Sequence, residues 1–226
     1  MKQFTCKFMD IEQIKTALND VDPQQRMKGI RELRNYEADL ATPLLLNHVN
    51  DQEFLVRSFV AMGLGRKQSD AAFEALLIMI KQDRDPNVRS EAANSLSYYG
   101  EIAIPHLRSM YESDDHWLVR RSIIAAIVDL KCPQELLEIC EIGLSGEDEP
   151  VMESCLSALG LLGKSEQESA ALKLLLAFAD DRSWRIRLQV AKSLGRYDHP
   201  EAIATLNKFK TDSDHRVVGA ALESMI

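Results

Sequence analysis

"DPNVRSEAANSLSYYG", residues 85–100, is the stretch whose reading decides the fold. Val88, Ala92, Ala93 and Leu96 stand one before and three, four and seven after Arg89, a spacing that gathers all four side chains on one face of a helix. Asp85 can accept from the free N–H groups of the first turn, and Pro86 follows at the first helical position, where a missing N–H costs nothing. Gly100 marks a break after the apolar face ends.

Working outward, the same pattern recurs along the chain. With Arg89 as origin, the equivalent positions are Arg26, Arg57, Arg120, Met152, Arg187 and Val218, so that seven origins follow one another at intervals of 31, 32, 31, 32, 35 and 31 residues. Each has apolar residues at the same offsets, for example Val56, Val60, Ala61 and Leu64, or Ile186, Val190, Ala191 and Leu194. Four residues before the origins stand Asp22, Glu53, Asp85, His116, Asp148, Ser183 and Asp214, which predicts a helix start in every unit. Second apolar segments lie between, such as "DAAFEALLIMIKQ" and "QELLEICEIGL", and Gly65, Gly100, Gly163 and Gly195 are read as breaks near the ends of the marked helices. No period-two alternation suggests a strand. A single helix pair cannot hide its apolar faces, so the expected fold is an all-α, right-handed solenoid of about seven stacked pairs, roughly fourteen helices in one domain spanning 1–226.

Composition fits that reading and removes several functions. The 226 residues are 46% hydrophobic with net charge −8, enough for a folded core and without a disordered signature. No run approaches 18 apolar residues, and "MKQFTCKFMDIEQ" carries acids where a signal peptide needs an apolar stretch, so no membrane span and a cytoplasmic location are expected. Cys6, Cys132, Cys140 and Cys155 show no C-x-x-C spacing and are expected to be packing residues. The acidic chain lacks a Lys/Arg block, which argues against nucleic acid. There is no H-E-x-x-H, no G-x-x-x-x-G-K-[ST] and no G-x-S-x-G, and "GLGRKQ" lacks the third glycine of a dinucleotide loop; no catalytic or metal residues are assigned. The last apolar face holds Leu222 and Met225, from which a homodimer through the C-terminal end is expected; a Leu222→Glu variant should then become more monomeric in light scattering.

The D-x-x-V-R opening followed by "EAANSL", varied through every unit, resembles the HEAT-like repeat family. That resemblance implies a ladder of aspartates and arginines between successive units, which would map onto Asp22, Asp85, Asp148 and Asp214 with Arg26, Arg57, Arg89, Arg120 and Arg187, interrupted at Met152 and Val218. A narrower likeness rests on "WLVRRSIIAAIVDL", "PVMESCLSALGLLG" and "SWRIRLQVAKSLGRYDHPEA", which look like the phycobilisome-associated branch containing the E/F-type phycobilin lyases and the NblB-type degradation proteins. It implies a cyanobacterial adaptor that engages phycobiliproteins, with a phycobilin as a ligand to consider and no other cofactor. A bilin lyase or lyase subunit, and a generic protein-interaction scaffold, stand as alternatives. A metal-dependent hydroxylase built from similar repeats relies on His-Glu dipeptides, and none of His48, His106, His116, His199 or His215 precedes a Glu.

Binding residues follow from where the marked helices should face. Lining a concave groove, they would present offsets +1, +2 and +5, which include Arg31, Phe59, Met62 and Arg121. Phe59 and Met62 form an apolar spot with Arg31 and Arg121 as charged flanks, suited to a protein partner or an amphipathic acid. Trp117 and Trp184 both stand three before an origin, in the first turn of a marked helix. Two readings are open for each: an indole that packs on the adjacent unit, or a rim anchor for a partner, with Trp117 beside Arg121 the preferred anchor.

Overall fold

A computed structural model describes residues 9–225, so the reading of Cys6 lies outside the described residues. The chain divides into two compact units, residues 1–110 and 111–226. The first contains α1 (Ile11–Leu18), α2 (Pro23–Glu32), α3 (Ala38–Leu46), α4 (Phe54–Lys67), α5 (Asp70–Gln82) and α6 (Pro86–Leu96), and the division falls within α7 (Ile104–Ser113). In the second lie α8 (Trp117–Leu130), α9 (Pro133–Leu144), α10 (Glu149–Leu159), α11 (Glu168–Ala177), α12 (Trp184–Leu194), α13 (Pro200–Phe209) and α14 (His215–Glu223). Among the described residues there is no strand. The protein is an all-α solenoid of helix pairs, and the arginine-marked helices are the even-numbered ones.

The start signals act as their chemistry dictates. Side chains of Asp22, Asp85, Asp148, Ser183 and Asp214 accept from backbone N–H groups of the first turn, and His116 Nδ1 does the same for Leu118, whereas Glu53 makes no such bond. Pro23 and Pro86 open their helices. The residues at offsets −1, +3, +4 and +7 are buried in nearly every unit, and the departures are Gln25, Leu222 and Met225. Leu222 is 50% and Met225 40% exposed.

Successive even-numbered helices pack on one another more extensively than the odd-numbered ones do, α2 on α4 and α4 on α6 in the first unit, α8, α10, α12 and α14 in series in the second. The even-numbered rank is therefore the tighter one in each unit. Glycine permits that approach at Gly65. This residue is inside α4 and does not break it, contrary to the sequence reading; a Cβ added there would lie 2.7 Å from Ser95 Cβ of α6. Gly160 meets Ser193 of the next unit in the same way. The predicted break at Gly100 is real, with φ +72°.

Ten residues after the origin a second tie recurs. Tyr36 Oη donates to the Met9 carbonyl just before α1 (2.8 Å), while the bonds from Tyr99 Oη to Leu64 (3.1 Å) and from Tyr197 Oη to Leu159 (2.6 Å) reach back to the preceding helix pair. Burial pushes the Tyr99 phenol up to about 12. In the second pair Lys67 stands in place of the tyrosine, and its ammonium donates to the carbonyls of Arg34 and Tyr36.

The arginine ladder exists, but the acid is not the capping one. Arg26 holds Asp51 through two hydrogen bonds of 2.7 and 2.8 Å, Arg57 holds Asp83 at 2.6 and 2.8 Å, and Arg187 holds Asp212 at 2.8 and 2.8 Å. Each of these aspartates stands six residues before the next origin and also accepts from the N–H of the capping residue two positions on, as Asp83 does from Asp85 at 2.9 Å. The third guanidinium nitrogen donates to carbonyls of the arginine's own loop, Asp51 and Gln52 in the case of Arg57. One carboxylate thus shapes the turn into its helix and clamps the preceding unit, while the cap two residues later is occupied with its own N–H groups. The pattern lapses in the fifth pair, where Gly146 replaces the aspartate and Met152 the arginine; Arg120 of the fourth pair, left without that aspartate, donates to the Asp114 carbonyl (2.7 Å) and lies over the Tyr111 ring.

These pairs make stability depend on acid in one direction. Arg187 holds the Asp212 carboxyl below the usual carboxylate range; burial works the other way at Asp51 and Asp83, but bonds from Arg26, Arg57 and the backbone outweigh it, and both fall as well. A depressed folded-state pKa gives stability that is fully present above the unfolded value and is lost as pH falls through the folded one. Glu91, raised by burial, contributes with the opposite sign. Asp214, held by Arg216, falls too, and four depressed carboxyls against one raised predict that the urea midpoint declines as pH drops below about 4. A midpoint that stays level from pH 7 to pH 3 would contradict the pairing.

Candidate functional site

The C-terminal ends of α2 and α4, with the 3-10 turn Leu33–Asn35, enclose a cleft of about 180 Å³. Its floor is apolar, from Ile30, Leu33, Leu45, Phe59 and Met62, and its rim is cationic, from Arg31, Arg34, Arg66 and Lys67. The charge follows from helix physics, since last turns expose unpaired carbonyls that favour basic side chains, and Arg31, Arg66 and Lys67 all lie in such turns. Lys67 is committed to the carbonyls of Arg34 and Tyr36, and burial lowers its pKa. The three arginines are exposed, and among the described residues none of them makes an ion pair. Glu91 feels the charge of Arg66, yet burial dominates and raises its carboxyl.

Three of the six residues singled out from the sequence, Arg31, Phe59 and Met62, therefore come together in one cleft. Arg34 and Arg66 were missed. They stand eight and nine residues after their origins, beyond the +5 offset, and the signal that could have found them was a cation recurring just past the end of the apolar face.

Trp117 and Arg121 form a separate group in the second unit. Trp117 is 40% exposed, its indole stacked on the His116 ring at 5.9 Å, with the Arg121 guanidinium 5.7 Å above it. Arg121 Nε also donates to Ser154 Oγ of α10 (3.0 Å), so the neighbouring pair orients this cation. Trp184 is placed differently. The guanidinium of Arg216, on α14, sits 3.2 Å from its ring centroid and that of Arg185 at 4.7 Å, while Asp214 holds Arg216 through bonds of 2.9 and 2.7 Å. Its indole is part of the packing between adjacent pairs.

Among the described thiols, Cys132 is half-buried and its Sγ donates to the Leu130 carbonyl (3.4 Å), and the other two are closed off. Cys140 and Cys155 are fully buried, Cys140 Sγ donates to the Cys155 carbonyl (3.6 Å), and the bond to Cys155 together with burial pushes the Cys140 thiol up. Among the described residues no group of three His, Cys, Asp or Glu side chains is placed to hold a metal ion. No helix among them is long and apolar enough to cross a membrane.

A family description, HEAT repeats, matches residues 42–128 and 136–226. The chain belongs to the HEAT-repeat family. No curated protein matches this HEAT-repeat chain. Among solved structures, YibA of Escherichia coli is similar at 16% identity over 96% of this chain and 92% of its own, with a TM-score of 0.61. The complex of CpcE and CpcF of phycocyanin lyase from Nostoc sp. PCC7120 is similar at 17% identity, covering 100% of this chain and 91% of that one, with a TM-score of 0.55. Human deoxyhypusine hydroxylase matches at 19% identity over 95% and 94% of the two chains, with a TM-score of 0.47. At these identities the likeness to YibA and to the CpcE–CpcF complex is one of fold.

Proposed function

We propose that the protein is a non-catalytic, cytoplasmic HEAT-repeat adaptor of the NblB type, which holds a phycobiliprotein along its even-numbered helices and assists bilin detachment or antenna degradation. The observation that carries a binding role is the cleft, where an apolar floor is ringed by three exposed arginines in a chain of net charge −8. Such a combination is what a protein hot spot needs, a desolvated apolar seat with charge-assisted bonds at its edge. Trp117, half-open beside Arg121, supplies a second anchor. The phycobiliprotein as partner is supported by the repeat sequences of the fourth to sixth pairs and by the likeness in fold to the CpcE–CpcF complex. The same likeness favours a lyase subunit as the second reading.

Mixing the purified protein with phycocyanin, and separately with free phycocyanobilin, then following co-elution and the visible spectrum, tests this. Co-elution with phycocyanin without attachment of free bilin is the expected result. Transfer of bilin to an apo-subunit would replace the adaptor by a lyase, and failure to bind either would leave a scaffold for other proteins.

A further inference from the structure

We infer that the cleft between α2 and α4 recognises an acidic peptide segment carrying one large apolar side chain. The apolar group would seat against Phe59 and Met62, and the flanking carboxylates would meet Arg31, Arg34 and Arg66. The inference rests on the adaptor reading only in taking the occupant to be protein, not in its being a phycobiliprotein.

Size decides the occupant. A drug-sized ligand needs a pocket of roughly 300 Å³ or more to bury most of its surface. The cleft offers about 180 Å³, below that range, and one apolar side chain is the guest that fits it.

Charge sets the rest of the specificity. The rim arginines come from three different places, α2, the turn after it and α4, so they surround the apolar floor. A segment with acids on both sides of its apolar residue can reach several of them at once, and guanidinium forks favour carboxylates geometrically. Lys67 takes no part, because its ammonium is spent on the carbonyls that fix the turn carrying Arg34.

Fluorescence anisotropy with a labelled peptide, Gly-Glu-Asp-Phe-Asp-Glu-Gly, tests the assignment. Two control peptides replace its phenylalanine by alanine or its four acids by lysine, and laurate serves as an unlabelled small amphipathic carboxylate. The acidic phenylalanine peptide should bind at least about tenfold more tightly than either control, and an Arg34→Ala/Arg66→Ala variant should lose about tenfold for it while melting at an unchanged temperature. Met62→Ala should weaken the phenylalanine peptide and leave the alanine control unmoved. Equal binding of all three peptides, or an arginine variant that binds as the parent does, overturns the proposal; laurate binding at concentrations where no peptide does would make the cleft a small-molecule site and overturn it too. Failure of phycocyanin to co-elute, with the peptide result intact, refutes the partner and not the cleft. Phycocyanin retained undiminished by the arginine variant, with no peptide bound, refutes the cleft and not the partner.

Discussion

Replacing Arg57 by alanine should destabilise the protein by about 3–5 kcal/mol, the range for removing one partner of a buried ion pair. Arg57 is 4% exposed, and its guanidinium satisfies the Asp83 carboxylate and two carbonyls of its own loop. Alanine would leave Asp83 charged, buried and held only by the N–H of Asp85. Arg120→Ala is the control, because Gly146 occupies the place of the next aspartate and no carboxylate is orphaned. That change loses one bond to a carbonyl and the contact with Tyr111, together worth about 1–2 kcal/mol. Urea denaturation followed by circular dichroism measures both. Equal losses for the two variants would show that the ladder adds nothing to the stacking.

Leu96→Ala should cost about 2–5 kcal/mol by the combined loss of apolar transfer and the cavity left behind. Leu96 is fully buried at the end of α6, seven residues after its origin, where the apolar faces of neighbouring helices meet. Leu159 occupies the same offset in α10 and should behave alike. Leu161, only two residues farther on, is 49% exposed, and its replacement should move stability by no more than about 0.5 kcal/mol. A thermal melt separates the cases, and a Leu96→Ala variant as stable as the parent would mean that the thirty-odd-residue repeat does not form a continuous core.

The repeat was legible because its signal is redundant. Each apolar offset recurs seven times, so Gln25 in the first unit could fail the pattern without obscuring it. The ladder was half legible. Arginines stood at the origin, but acids recur at two nearby offsets, and capping chemistry explains the one at −4 so fully that it was read as the ladder as well. The offset at −6 is the more regular, with Asp20, Asp51, Asp83, Asp114, Asp181 and Asp212 against a single Gly146. Gly65 was misread for a related reason, since glycine ends helices and also permits close helix approach, and only the position of Ser95 distinguishes the two. The tyrosine ties at +10 lie past the last apolar offset, where periodicity gives no guide.

In the cleft, the apolar pair Phe59 and Met62 and one of its cations could be read from the helical face alone. Arg34 and Arg66 could not, because the chain has left regular α-helix at Arg34 and is ending it at Arg66. The two tryptophans show the limit of equivalent sequence positions. Trp184 finds Arg216 in the following pair and becomes packing, whereas at Trp117 the neighbouring pair offers Ser154, which draws Arg121 and leaves the indole 40% exposed.

We propose the α2–α4 cleft of the first unit as the binding seat. Amide chemical-shift mapping of the 25.5 kDa protein during titration with the acidic phenylalanine peptide tests it most directly. Shifts should concentrate on residues 30–34 and 59–67. Shifts confined to the odd-numbered helices, or none at saturating peptide, would contradict it.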